Sequence, residues 1–179
     1  VLILNLISTP IAVFGLVVGS LLSTPGHVIR QQGVGMDIHI ILSLSAYAVL
    51  FMATLHAIVI WLQNRELKRK QKQRIWVNIL PSLQTMESLL FDLILIGFVL
   101  LTAALGFGFF TIQDFFAQHL VHKTVFSIIS WLIYGGLLLG HWRFGWRGQK
   151  AIRFTIIGFF LLAIGFIGSK FILEMVLNR

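Results

Sequence analysis

Six histidines, at positions 27, 39, 56, 119, 122 and 141, carry most of the chemistry open to this 179-residue chain. A neutral imidazole can relay a proton or ligate a metal. The rival chemistries lack their residues. There is no cysteine, so disulfides, Fe–S clusters and thiol nucleophiles are excluded. No His-x-x-x-His zinc pair, Gly-rich phosphate loop or Ser/His/Asp set is present, which leaves hydrolytic and nucleotide chemistry without support. The 17 positions from His39 to His56 correspond to about 25 Å of helix. Those two imidazoles therefore belong to opposite ends of one long element.

The elements that must position these groups are membrane helices. The chain is 58% hydrophobic and 11% charged, with a mean hydropathy of +0.92, more apolar surface than a soluble domain of this length can hide. About 20 apolar residues cross a bilayer as a helix. Five stretches qualify, over about 1–22, 38–63, 87–110, 122–140 and 151–177. They do not alternate with a period of two, which excludes a barrel. The expected fold is an all-α, polytopic transmembrane helical bundle forming a single domain over 1–179, with a hairpin over 64–86 on the cytoplasmic side. Pro10 predicts a kink, and Gly15 with Gly19 a close-packing face, in the first stretch. The chain begins at Val1 inside an apolar run, and further N-terminal helices are expected to precede it.

Charge sets the expected orientation. Arg65, Lys68, Arg69, Lys70, Lys72 and Arg74 share one loop with Glu66, and Arg143, Arg147, Lys150 and Arg153 gather at another. The loops at 23–37 and 111–121 are nearly free of lysine and arginine. Cytoplasmic loops collect basic residues, so the two basic loops are read as inside. The net charge of +8 is then a topology signal rather than a nucleic-acid-binding face. The segment after Arg74 turns apolar around Trp76 and reads as a hairpin on the inner leaflet, or as a docking site for a cytoplasmic partner.

This orientation places His27, His39, His119 and His122 outside and His56 and His141 inside. Two readings of the outer pair stand side by side. In one, His39 and His122 face each other and hold a haem iron, Arg30 and Lys123 pair with the propionates, and Phe109, Phe110, Phe115 and Phe116 form an apolar rim. In the other, both histidines are interfacial residues bonded to loop carbonyls. Within the membrane, His56 and Asp92 fall at similar depth, so a hydrogen bond between them is expected to satisfy both, with a proton or ion path as the alternative. Glu87 is expected to answer the N-terminal dipole of its helix, Lys170 and Glu174 to form an i,i+4 pair, and His141 to be interfacial.

A wider pattern adds to this reading. His39 is followed by Leu42, Leu44, Ala46 and Tyr47; then come Leu80-Pro81, Met86-Glu87-Ser88-Leu89-Leu90, Gly97-Phe98 and Leu101-Thr102. His122-Lys123, Ser127, Trp131 and Tyr134 continue it, and Gly145-Trp146-Arg147-Gly148, Ala151, Gly158-Phe159 and Gly168-Ser169 complete it. Over about 37–177 the chain resembles the cytochrome c assembly superfamily of membrane proteins, and within it the HemX-like or YpjD-type branch. The resemblance implies a helical bundle that handles haem at the outer face of a bacterial inner membrane, with His39 where an external haem-ligating histidine belongs. The stretch 111–121 has no tryptophan and the tail 174–179 no histidine, which separates the chain from the haem-delivery members.

The expected function is thus a multi-pass inner-membrane protein that binds or handles haem at the outer face without catalytic turnover. The bilayer, and a possible membrane-protein partner, are its surroundings, and nucleic acid is not. The alternative is a non-haem accessory or scaffold subunit, tied to cation transport by what the resemblance implies, docking through its basic hairpin. A b-type electron carrier is a third reading, disfavoured because His56 and His141 are poorly matched in depth.

Overall fold

The computed structural model describes the backbone of residues 34–68, 82–111 and 118–177, and the side chains of 35, 38–68, 82–110 and 124–165. Among the described residues the chain is all helix: α1 (Val34–Lys68), α2 (Leu83–Thr111), α3 (Gln118–Phe144) and α4 (Gln149–Leu177). Ile38–Lys68, Leu83–Phe110 and Thr124–Phe144 are each long and apolar enough to cross a membrane. The stretch expected over 1–22 lies outside the described residues, as do Arg30, His27 and most of the basic hairpin, Trp76 included. The stretch expected over 151–177 lies within α4, whose side chains are described as far as Gly165.

α1 extends beyond the expected 38–63 at both ends, so the first residues expected in the hairpin over 64–86 are helical and its last ones open α2. Apolarity marks where a helix meets lipid, whereas hydrogen bonding decides where it stops. At 35 residues α1 is about 52 Å long, well beyond a hydrocarbon core of about 30 Å. Its last turn carries Arg65 and Lys68, which suit the negative end of the helix dipole. Ser82 caps α2: its hydroxyl accepts the Thr85 N–H at 3.3 Å and meets the Thr85 hydroxyl at 2.8 Å.

Neighbouring helices run antiparallel. Contacts of α1 with α2 pass from His39 near Gly108, through Leu50 against Gly97, to His56 at Met86. α3 meets α4 from Ser130 and Gly158 down to Gly140 and Trp146. α1 packs chiefly on α2 and α3 chiefly on α4, while α1 with α4 and α2 with α3 close the ring. α1 and α3 therefore stand diagonally across an up-down-up-down bundle.

The interior is a stripe at helical spacing: Leu50, Ala53, Ala57 and Ile60 of α1 against Leu90, Ile94 and Leu101 of α2, with Tyr134, Leu137, Ile152 and Leu162 opposite. Glycines let the backbones close. Gly158 lies under the Tyr134 ring, and Gly97 receives the end of Leu50. Several hydroxyls in this interior answer to main-chain carbonyls, which stabilises them where water is absent. Ser130 Oγ donates to the Gly158 carbonyl at 2.7 Å and Tyr134 to that of Thr155 at 3.2 Å. Tyr47 donates to the Leu162 carbonyl at 3.2 Å, joining α1 to α4.

Candidate functional site

The antiparallel order brings the start of α1, the end of α2 and the start of α3 to one end of the bundle, and the basic residues to the other. His39 lies in the second turn of α1, half-buried against α2. Its Nδ1 is 2.8 Å from the Ala104 carbonyl. A carbonyl can only accept, so Nδ1 carries the proton and the Nε2 lone pair is left for a ligand. Histidines that bind metals are commonly oriented in this way, by a hydrogen bond from the far ring nitrogen. Among the described residues no donor reaches Nε2.

Glycine makes the seat. A Cβ on Gly108 would fall 2.9 Å from Cε1 and 3.1 Å from Nδ1 of His39, so a side chain there would press on the ring. Ala104 lies one turn earlier on the same face and presents its carbonyl beside that gap. The seat therefore needs glycine at 108, four positions on from Ala104 on α2.

The other site residues expected from the sequence stand as follows. The backbone of His122 and Lys123 belongs to the first turns of α3, at the same end as His39, and their side chains lie outside the described set, as does Arg30. His39 and His122 are thus on diagonal helices, α1 and α3, at one end of the bundle. Phe115 and Phe116 are outside the described residues, and Phe109 is largely exposed. Phe110 is 86% exposed and, with Ala103, Gly106 and Phe107, lines an apolar hollow of about 270 Å³. At about 3.6 residues per turn those four fall on the face of α2 away from Ala104 and Gly108. Phe110 is therefore turned away from His39. Among the described residues no group of three His, Asp or Glu comes together as a metal cluster. Within that set His39 offers a single oriented imidazole.

At the basic end two expectations change. His56 Nε2 donates to the Met86 carbonyl at 2.9 Å, and Asp92 lies on the exposed face of α2, so the expected His56–Asp92 bond is not made. Depth placed the two residues together, but rotation about the α2 axis turns Asp92 away. Glu87 is in the second turn of α2 because the helix begins at Leu83, and its carboxylate lies 3.6 Å from Arg147 Nε. The charge that was expected to answer a dipole answers the turn between α3 and α4 instead. His141 does more than mark an interface: Nδ1 donates to the Trp146 carbonyl at 2.9 Å, and its ring stacks on Phe91 with centroids 3.6 Å apart. Gly145 and Gly148, at φ of 62° and 61°, turn the chain from α3 into α4, a left-handed conformation that side chains resist. The indole of Trp146 then folds back over Gly140.

These features define a polytopic helical membrane protein with an oriented histidine at one end of its bundle. Over residues 1–177 the chain matches the family described as Cytochrome C assembly protein, and it belongs to that family. It is 34% identical over 143 residues to the Inner membrane protein YpjD of Escherichia coli strain K12, covering 79% of this chain and 53% of that protein. It is 32% identical over 158 residues to an uncharacterized 28.8 kDa protein of Azospirillum brasilense, covering 86% and 58%. A shorter match, 31% over 91 residues, is to the Cytochrome c biogenesis protein CcsA of Prochlorococcus marinus, covering 50% and 29%. The chain spans little more than half the length of the first two relatives. No solved structure matches it.

Proposed function

We propose that this chain binds or hands on haem at the outer face of a bacterial inner membrane, with His39 as an iron ligand and without catalytic turnover. The observation that carries the reading is the His39 Nδ1–Ala104 contact of 2.8 Å, which leaves Nε2 as the lone-pair nitrogen of an oriented ring. Membership of the cytochrome c assembly family and likeness to an inner membrane protein support the setting. Haem, when bound, would supply an iron that His39 would hold through its imidazole. The protein's part is to hold His39 in one tautomer and one rotamer, beside a helix end where apolar surface is abundant. His122, with Arg30 and Lys123 for the propionates, completes the proposed set; His122 and Lys123 stand on the first turns of α3. The orientation follows the basic residues, which collect at the opposite end.

The test is an absorption spectrum of gently purified protein, repeated after adding haem. The expected result is a haem band that is lost in His39→Ala and His122→Ala and kept in His56→Ala. A band that survives His39→Ala would remove the site. Absence of both a band and haem uptake would favour an accessory subunit working with a membrane-protein partner.

A further inference from the structure

Near the basic end, α1 and α4 part to leave a groove of about 330 Å³ lined by Ile58, Trp61, Gln149, Ile152, Arg153 and Ile156. Its polarity is graded along the bundle axis. Trp61 and Gln149 stand toward the helix ends and Ile58 and Ile156 toward mid-membrane, while Ile152 and Arg153, consecutive on α4, lie between them at one depth, from which the long Arg153 side chain can reach back to the mouth. The mouth is basic. The Arg65 guanidinium lies 5.4 Å from the centre of the Trp61 ring, one turn on from it, and Arg153 lines the groove itself. Of the carboxylates at this end, Glu87 is engaged by Arg147 and Glu66 stands beside Arg65, which leaves an excess of positive charge with Arg153, Lys150 and Lys68.

We propose that this groove binds one anionic phospholipid of the adjoining leaflet, its phosphate held by Arg153 and Gln149 with Arg65 close by, and an acyl chain laid along Ile58, Ile152 and Ile156. Guanidinium matches the two-oxygen geometry of a phosphate, and basic pockets between membrane helices recognise anionic headgroups. Tryptophan beside the charged mouth suits the headgroup depth. A zwitterionic lipid would fill the apolar part equally well but would leave the excess charge unanswered.

Native mass spectrometry of the full chain, released from detergent with phosphatidylglycerol or phosphatidylcholine of identical acyl chains, tests this. Phosphatidylglycerol adducts are expected at roughly tenfold lower lipid concentration than phosphatidylcholine adducts. The double variant Arg153→Gln, Arg65→Gln should lose that preference. Arg143→Gln, an exposed cation at the same end that does not line the groove, should keep it. Equal retention of the two lipids by the unaltered chain would overturn the proposal. An equal loss of preference in Arg143→Gln would do so too, because the charge would then act as a diffuse field.

Discussion

The imidazole of His39 reaches from α1 to the main chain of α2, its Nδ1 2.8 Å from the Ala104 carbonyl and its ring laid against Gly108 one turn further on. The Ala104 carbonyl thus accepts a bond from outside its own helix. The same device recurs at the far end of α1, where His56 reaches the Met86 carbonyl. Both pin α1 to α2, and they differ in which nitrogen is left with the lone pair.

Gly108 should be intolerant of a side chain in a way that Gly106 is not. A Cβ at 108 would meet His39 at 2.9 Å, whereas one at 106 meets nothing within 4 Å. Gly108→Ala is expected to tilt the imidazole and weaken haem uptake several-fold, with Gly106→Ala near normal. Haem titration followed by absorbance measures both. Equal behaviour of the two variants would count against the seat.

His56 is expected to be structural. Replacing it with leucine leaves the Met86 carbonyl with its helical partner alone and removes one interhelical bond, costing about 1 kcal/mol. Thermal unfolding in detergent should show the loss while the haem titration stays unchanged. An altered titration would assign His56 a part in ligand handling.

Gly140→Ala should be among the most damaging small substitutions, because the added methyl would occupy the space of the Trp146 indole. Overpacking of this kind costs about 1–3 kcal/mol. Gly136→Ala, one turn earlier with nothing within 4 Å, is the control and should unfold at nearly the normal temperature.

Tyr134→Phe keeps the ring over Gly158 and removes only the hydroxyl that donates to the Thr155 carbonyl at 3.2 Å. A loss of about 0.6 kcal/mol is expected, the usual size for a hydrogen bond between membrane helices. Tyr134→Ala, which empties a fully buried volume, should cost several times more. Comparable losses for the two would mean that the hydroxyl, rather than the ring, holds α3 to α4.

Much of the bundle was legible because a bilayer leaves so few options. Apolar length alone located the stretches that became α1 to α4, and lysine and arginine marked one end. Element ends were less legible, since α1 runs on through Arg65 to Lys68 on hydrogen bonds that hydropathy does not see. The Gly-Trp-Arg-Gly run stood out as a pattern, and its two left-handed glycines gave it a use. The seat of His39 left a faint trace, small residues at 104 and 108, which nothing in the chain distinguished from Gly97, Ala103 or Gly106.

The amino-acid sequence by itself determined that the protein lives in a membrane as helices, that its charge is segregated to one end, and that His39 and His56 fall at opposite ends of one helix. These follow from composition and from distance along the chain, quantities that are one-dimensional. Only the tertiary structure decided what each polar group meets: that Asp92 turns outward while His56 takes the Met86 carbonyl, that Glu87 answers Arg147, and that His39 keeps Nε2 in reserve. Contact between helices depends on their rotation and close approach. A small change in either moves a side chain from a neighbour to the lipid.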